Sequence, residues 1–369
     1  MKTIKAIFWN RDQRRLRAMW RLLLQVVLLL VVTVPLQAAV GFVAVGLLIA
    51  GGGNIPGQTG LPEPSPGGLD PQAVQDYLLQ SPLLMTLSSL ALLVSITVSV
   101  WLAGRFLDRR PFTDFGLHLN RDWWIDFGFG LVLGAALMLA IFLVELAAGW
   151  VTVTGTFVSK VPGTTFLVAI LSPLLIFLCV GFYEELFSRG YQLKNLAEGL
   201  NWGPVGPRGA IAIATLLSSL VFGLLHATNP HASAGSTFNI GVAGLFLAAG
   251  ILLTGELAIP IGLHIAWNFF QGNVFGFPVS GGDVRAATFI GIQQAGPDLW
   301  TGGAFGPEAG LLGLSATLVG ILLTAIWVRW RYGSVGLDLS LATAPTRPEE
   351  PTVATGSPAA PGSTDLLGP

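Results

Sequence analysis

The 369 residues alternate long apolar runs with short polar breaks. Runs extend over about Leu22–Ala50 (interrupted by Pro35), Leu83–Ala103, Phe127–Ala148, Phe166–Phe187, Ala210–Ala227, Ile240–Thr254, Leu257–Phe270 and Leu311–Trp327. A helix needs about 20 apolar residues to cross a bilayer core of about 30 Å. The pattern therefore predicts an all-α fold, a polytopic transmembrane helical bundle of about eight spans. A polar helix is expected to continue from the fourth run to Leu200 and to stop at Asn201-Trp202-Gly203-Pro204. The breaks differ in kind. Residues 51–81 are rich in Gly and Pro and lack Lys and Arg, with a short amphipathic turn at Pro71–Leu79, and residues 272–310 form a Gly-rich loop; both loops are expected to act as spacers, with gating or partner binding as the alternative. From Gly333 the tail loses all periodicity and reads as disordered. No internal repeat of fixed period is present.

Composition agrees with this pattern. The chain is 52% hydrophobic and 11% charged, whereas soluble domains carry roughly 25% charge, and its mean hydropathy is +0.69. The single cysteine, Cys179, lies in an apolar run, which excludes an intrachain disulfide and a cysteine-rich metal site. The basic N-terminus resembles a signal peptide, but its apolar run continues to Ala50, beyond a signal core of about 7–15 residues; an uncleaved first span is expected. With the N-terminus in the cytoplasm and eight alternating spans, 17 of the 19 Lys and Arg fall on the cytoplasmic side, and only Lys160 and Arg285 fall outside. That bias predicts cytoplasmic N- and C-termini in a prokaryotic plasma membrane.

Polar residues on apolar helices are the candidates for chemistry, because inserting a charge there costs roughly 2.5–3.5 kcal/mol. The first set is Glu184, Glu185 and Arg189. Glu185 and Arg189 are four apart on one face in the favourable order for an ion pair, while Glu184 lies about 100° round the helix and is the freer base. The second is Phe222 with His226, one turn apart. The third is His264 with Asn268, which project from one helical face. Gln25, Gln37, Glu145, Glu256 and His231 are scattered and read as structural. One carboxylate, two imidazoles and an amide suit the activation of water against an amide bond inside a polar intramembrane cavity. His226 and His264 could also hold a divalent metal such as zinc, although no HExxH spacing requires one. Depth counting raises a difficulty: Glu184 falls near the cytoplasmic end of its span and His226 near the far end of the next. A shared site needs the fourth span to run deeper, the fifth to begin later, or a tilted or broken helix.

The three segments, Glu184-Glu185-x-x-x-Arg189, Phe222-x-x-x-His226 and His264-x-x-x-Asn268, resemble in order the pattern of the CPBP family of intramembrane proteases. That family includes CAAX-prenyl endopeptidases of the Rce1 type and the bacteriocin-immunity (Abi) proteins. The resemblance covers about 123–271 and implies a catalytic core there. It lies between a basic N-terminus (1–21) with the first two spans (22–122) and a Gly-rich loop with the last span (272–332), ahead of the tail (333–369). It implies peptide-bond hydrolysis with Glu184 as base, His226 and His264 near the water with or without a metal, and Asn268 as oxyanion donor. Glu185, Arg189 and Phe222 would be supporting. The partners implied are the lipid bilayer and a peptide or membrane-protein substrate, with no nucleic acid. A non-catalytic immunity or scaffold protein of the same fold and a proton-coupled transporter are the alternatives, since buried Glu and His also build proton relays.

Overall fold

The computed structural model describes residues 7–10, 13–50 and 71–345. The expected loop over 51–81 lies outside the described residues as far as position 70, and so does the tail from position 346. The tail's first part, 333–345, is ordered and not disordered as expected, because Leu341 and Ala342 are buried and the Ala342 and Thr343 carbonyls accept from Asn201 and Arg110. Among the described residues seven helices are long and apolar enough to cross a membrane. The first is α1 (Ala18–Ala50), which runs through Pro35. A short helix, α2 (Pro71–Gln80), leads into α3 (Pro82–Leu102), which Ser81 caps by accepting from the Leu84 N–H. Asn120 caps α4 (Arg121–Ala147) in the same way through the Trp123 N–H at 2.8 Å. The fourth long helix contains α5 (Leu171–Glu185), a wide π-helical section (Leu186–Leu193) and α6 (Lys194–Leu200). Then come α7 (Gly206–Leu225) and α8 (Ala234–Thr254), the latter begun by a Ser233/Ser236 capping box and ended by Gly255 at a left-handed φ of 74°. A shorter helix, α9 (Ala258–Phe269), and the last long one, α10 (Leu311–Tyr332), complete the bundle.

Two of these differ from the sequence expectation. The fourth apolar run and the polar helix expected after it form one helix of 35 residues, Phe166–Leu200, ending where expected but with its polar part packed inside the bundle. Its polar residues find partners inside the protein, so the helix has no reason to stop. Arg189 bonds Glu185 and the Gly244 carbonyl, and Lys194 bonds the Asp114 carbonyl. Arg189 therefore sits in the bundle and not in a cytoplasmic loop. Glu184 lies 18 residues from one end of this helix and 16 from the other, which removes the depth difficulty. The apolar run at 257–270 forms the 12 residues of α9 and passes directly into a five-residue π-helical section, Phe270–Val274, together still short of the roughly 20 residues that cross a bilayer core. Every residue from Ala258 to Ala266 is buried, so its apolarity serves the interior of the bundle.

The α9 helix is set against α4 by close backbone contact. Gly130 and Gly134 form a Gly-x-x-x-Gly face on α4, of the kind that lets membrane helices approach closely. A Cβ on Gly134 would stand 2.7 Å from the Leu263 carbonyl and 2.8 Å from the Trp267 N–H, both backbone atoms. Gly134→Ala must therefore displace α9, which carries His264 and Asn268. The expected result is a loss of about 1–3 kcal/mol, read as a lower thermal midpoint in detergent, with any activity falling in step.

One end of the bundle is basic and knotted by charge. Glu198 accepts from Arg15, from Arg21 at 2.7 Å and from Arg110 at 2.7 Å, and Arg21 also bonds Asp108 at 2.7 Å. The opposite end carries an element not expected in an all-α chain. Strand β1 (Val151–Ser159) pairs antiparallel with β2 (Ala287–Gln294), from Val151 opposite Gln294 to Ser159 opposite Ala287, with an irregularity between Val153 and Gly155. Buried Glu145 accepts from Gln294 at 2.6 Å and ties this sheet to α4. The 272–310 segment is thereby fixed over the bundle, which corrects its reading as a spacer.

Candidate active site

The three motif segments converge on one cavity of about 210 Å³, and Glu184, Phe222, His226, His264 and Asn268 all line it. Glu184 projects from the middle of the long helix, with its side chain 24% exposed. Its neighbour Glu185 is fully buried and points elsewhere, as the 100° offset requires. One oxygen of Glu185, Oε1, joins two helices: Arg189 donates to it at 2.9 Å and His264 Nδ1 at 2.7 Å. This fixes the imidazole's tautomer and aim, leaving Nε2 turned to Glu184 Oε2 at 3.9 Å. His226 closes α7, and its Nδ1 donates to the Phe222 carbonyl at 2.8 Å. Phe222 lies between the Arg189 guanidinium, 4.3 Å from its ring centre, and the His226 ring at 4.8 Å. Asn268 stands one turn beyond His264 on the same wall.

The 272–310 segment supplies the remaining wall. Val279, Ser280, Val284 and Glu308 line the cavity together with Asn229 from the turn after α7. Glu308 is buried and accepts from Gln271, from the Ser280 N–H and from the Ser280 hydroxyl, while Asn229 donates to the Ser280 carbonyl at 2.9 Å. Sequence reasoning missed this group. The available signal was that Glu308 is the one charged residue between Asp298 and Arg329.

Burial pushes the Glu308 carboxyl up to about 7, against the pull of its donors. A carboxyl raised on folding stabilises the fold fully below its unfolded pKa, and that contribution is lost as pH rises through the folded value. The thermal midpoint is thus expected to fall between pH 5 and pH 8, by at most about 3 kcal/mol of stability. Glu308→Gln should flatten that slope in a melting series across the same range.

The other polar groups stand apart from the cavity. Gln25 bonds Ser99, Gln37 the Ser88 carbonyl, and Glu256 pairs with His118. Cys179 packs in the hydrophobic core. Among the described residues no three His, Cys, Asp or Glu side chains meet as a metal-binding set. The Nδ1 of His226 is held by the Phe222 carbonyl and that of His264 by Glu185, which leaves Nε2 of each as the nitrogen a metal would take.

Comparison with known proteins places the same stretch. Residues 166–270 match the model of the family described as type II CAAX prenyl endopeptidase Rce1-like. The chain is also similar to "Uncharacterized protein YyaK" of Bacillus subtilis, at 26% identity over 250 residues, 62% of this chain and 79% of that protein. No solved structure matches the chain. The segment that supplies Glu184, His226, His264 and Asn268 is thus the one similar to the Rce1-like family, within a bundle of helices long and apolar enough to cross a membrane.

Proposed function

We propose that this protein is an intramembrane endopeptidase that hydrolyses a peptide bond with water activated by Glu184. The observation that carries this reading is the meeting, in one cavity, of a partly exposed carboxylate with His226, His264 and Asn268. The 3.9 Å between Glu184 Oε2 and His264 Nε2 is too long for a direct hydrogen bond and suits one bridging water. That water donates one hydrogen to Glu184 and the other to His264 Nε2, which aims its lone pair at the carbonyl carbon of the substrate. As the C–O bond forms, Glu184 takes the proton and the Asn268 amide donates to the developing oxyanion. The C–N bond then breaks, and the proton returns from Glu184 to the leaving amine. His226, with Nδ1 committed to Phe222, offers Nε2 to the N–H of the bound peptide. Glu185 and Arg189 are positioning residues that act through His264; a divalent metal, were one bound, would be held by His226 and His264 and would add to the activation of the water.

The orientation that fits the charge distribution has both termini in the cytoplasm of a prokaryotic plasma membrane. Arg15, Arg21, Arg110, Arg121, Arg208 and Arg331 lie at one end of the bundle, and Lys160 and Arg285 at the other. The test is cleavage of an apolar peptide library by the purified protein in detergent, beside Glu184→Gln. Fragments from the wild type and none from the variant support the reading. Equal cleavage by both takes the base away from Glu184, and no cleavage by a folded wild type refutes the peptidase.

A further inference from the structure

We infer that the cavity is loaded from the face opposite the basic end, so that its substrate is an extended, uncharged apolar stretch of peptide on the extracytoplasmic side of the membrane. This rests on the endopeptidase reading and on the orientation proposed above. Three independent observations lead to it.

The first is which chain ends build the mouth. His226 is at the C-terminal end of α7, Asn229 is in the turn that follows, and Val279, Ser280, Val284 and Glu308 belong to the segment between α9 and α10. The basic residues are at the other ends of these helices: Arg208 begins α7, and Arg329 and Arg331 end α10.

The second is what lies beneath. From the cavity toward the basic end the long helix presents Glu185, Leu186, Arg189, Tyr191 and Leu193, none of them more than 1% exposed. Leu257, Ala258 and Ile261 of the neighbouring element close the same layer at 2% or less. Glu184, directly above this plug, is 24% exposed. Solvent and peptide therefore reach Glu184 from the side of Asn229 and Val284, and a cytoplasmic tail would have to cross a close-packed layer to arrive there.

The third is size and charge. About 210 Å³ admits a few side chains of an extended chain but not a helix about 10 Å across. Ile176, Phe177, Val180, Phe246, Leu247 and Leu263 make most of the wall apolar. The one other acid in it, Glu308, has both carboxylate oxygens taken by Ser280 and Gln271. Apart from Glu184 and the two histidines, no wall group is left to neutralise a charged residue beside the cut.

Side-specific labelling tests the inference without using activity. Cys179 is the only cysteine and is buried, so the wild type serves as the unlabelled control. In intact spheroplasts a membrane-impermeant maleimide is expected to label Val284→Cys and Asn229→Cys at least ten-fold more than Arg208→Cys, which reacts only after permeabilisation. Two positions are used so that one misfolded variant does not decide the matter. A second arm places one apolar ten-residue segment on either side of a single-span anchor; cleavage is expected only when the segment faces out. Labelling of both rim positions only after permeabilisation, or cutting of the inward-facing segment, overturns the inference. If Glu184→Gln still abolishes cutting in that case, the peptidase reading stands while this one falls. Rim labelling from outside by a protein that cuts nothing would reverse the two.

Discussion

Glu184→Gln is expected to lower the cleavage rate by about 10²–10⁴-fold, the usual contribution of a positioned base, while leaving the thermal midpoint within about a degree of wild type. The basis is the division of labour between two adjacent carboxylates. Glu184 faces the cavity and no hydrogen bond reaches its Oε2, so an isosteric amide removes the proton acceptor without breaking a structural contact. Glu185 is the contrasting case. It is fully buried and holds both Arg189 and His264. Glu185→Gln leaves the Arg189 charge unmatched inside the bundle, which costs about 3–5 kcal/mol. Rate and melting temperature should fall together in that variant and separate in the first. Parallel cleavage and melting curves on both purified proteins give the comparison; a Glu184→Gln protein that melts as early as Glu185→Gln would show that the two acids share one structural duty.

Glu198→Gln should produce the largest loss of stability, on the order of 3–5 kcal/mol or more, far from the cavity. Arg15, Arg21 and Arg110 all bond this one carboxylate, and Arg110 also donates to the Thr343 carbonyl. Burial and Arg21 hold the Arg15 guanidinium below its usual range, while Glu198 pulls it back up. An uncharged amide removes that compensation and leaves three guanidinium groups with Asp108, and Asp114 at 3.9 Å from Arg110, as their nearby anions. The measurement is the thermal midpoint together with the rate of tryptic cutting at these arginines, which should become accessible at temperatures where the wild type resists.

Much of this architecture could be read from residues alone, for a physical reason. In a bilayer the backbone must satisfy itself, so apolar runs of sufficient length become helices whatever their packing. The convergence of Glu184, His226, His264 and Asn268 was legible because each charge or amide stood out on an apolar background. Three features were less so. The helix ends at Leu200 as expected, but the burial of its polar part was hidden because Arg189 and Lys194 look like interfacial residues until their partners, Glu185 and the Asp114 carbonyl, are known. The strand Val151–Ser159 was overlooked although Val-Thr-Val-Thr alternates with β-branched residues at period two. Glu308 was hidden in a Gly-rich stretch, since its partners Gln271 and Ser280 come from 37 and 28 residues away. The Gly130-x-x-x-Gly134 face was present in the sequence and states directly which helix would be approached most closely.

The π-helical section Leu186–Leu193 has a bearing on how the two polar stations of the long helix relate. Glu184 and Glu185 precede it, and Glu198 follows. Each widened turn spends one extra residue per revolution, so the section fixes the rotational phase between them. Deleting a single residue from it would be absorbed by a return to ordinary winding, with Glu184 and Glu198 kept close to their present faces, whereas the same deletion in an ordinary α-helical stretch would swing one station against the other by about 100°. The helix thus behaves as a shaft keyed at two points, and its coupling lies in the eight residues between them.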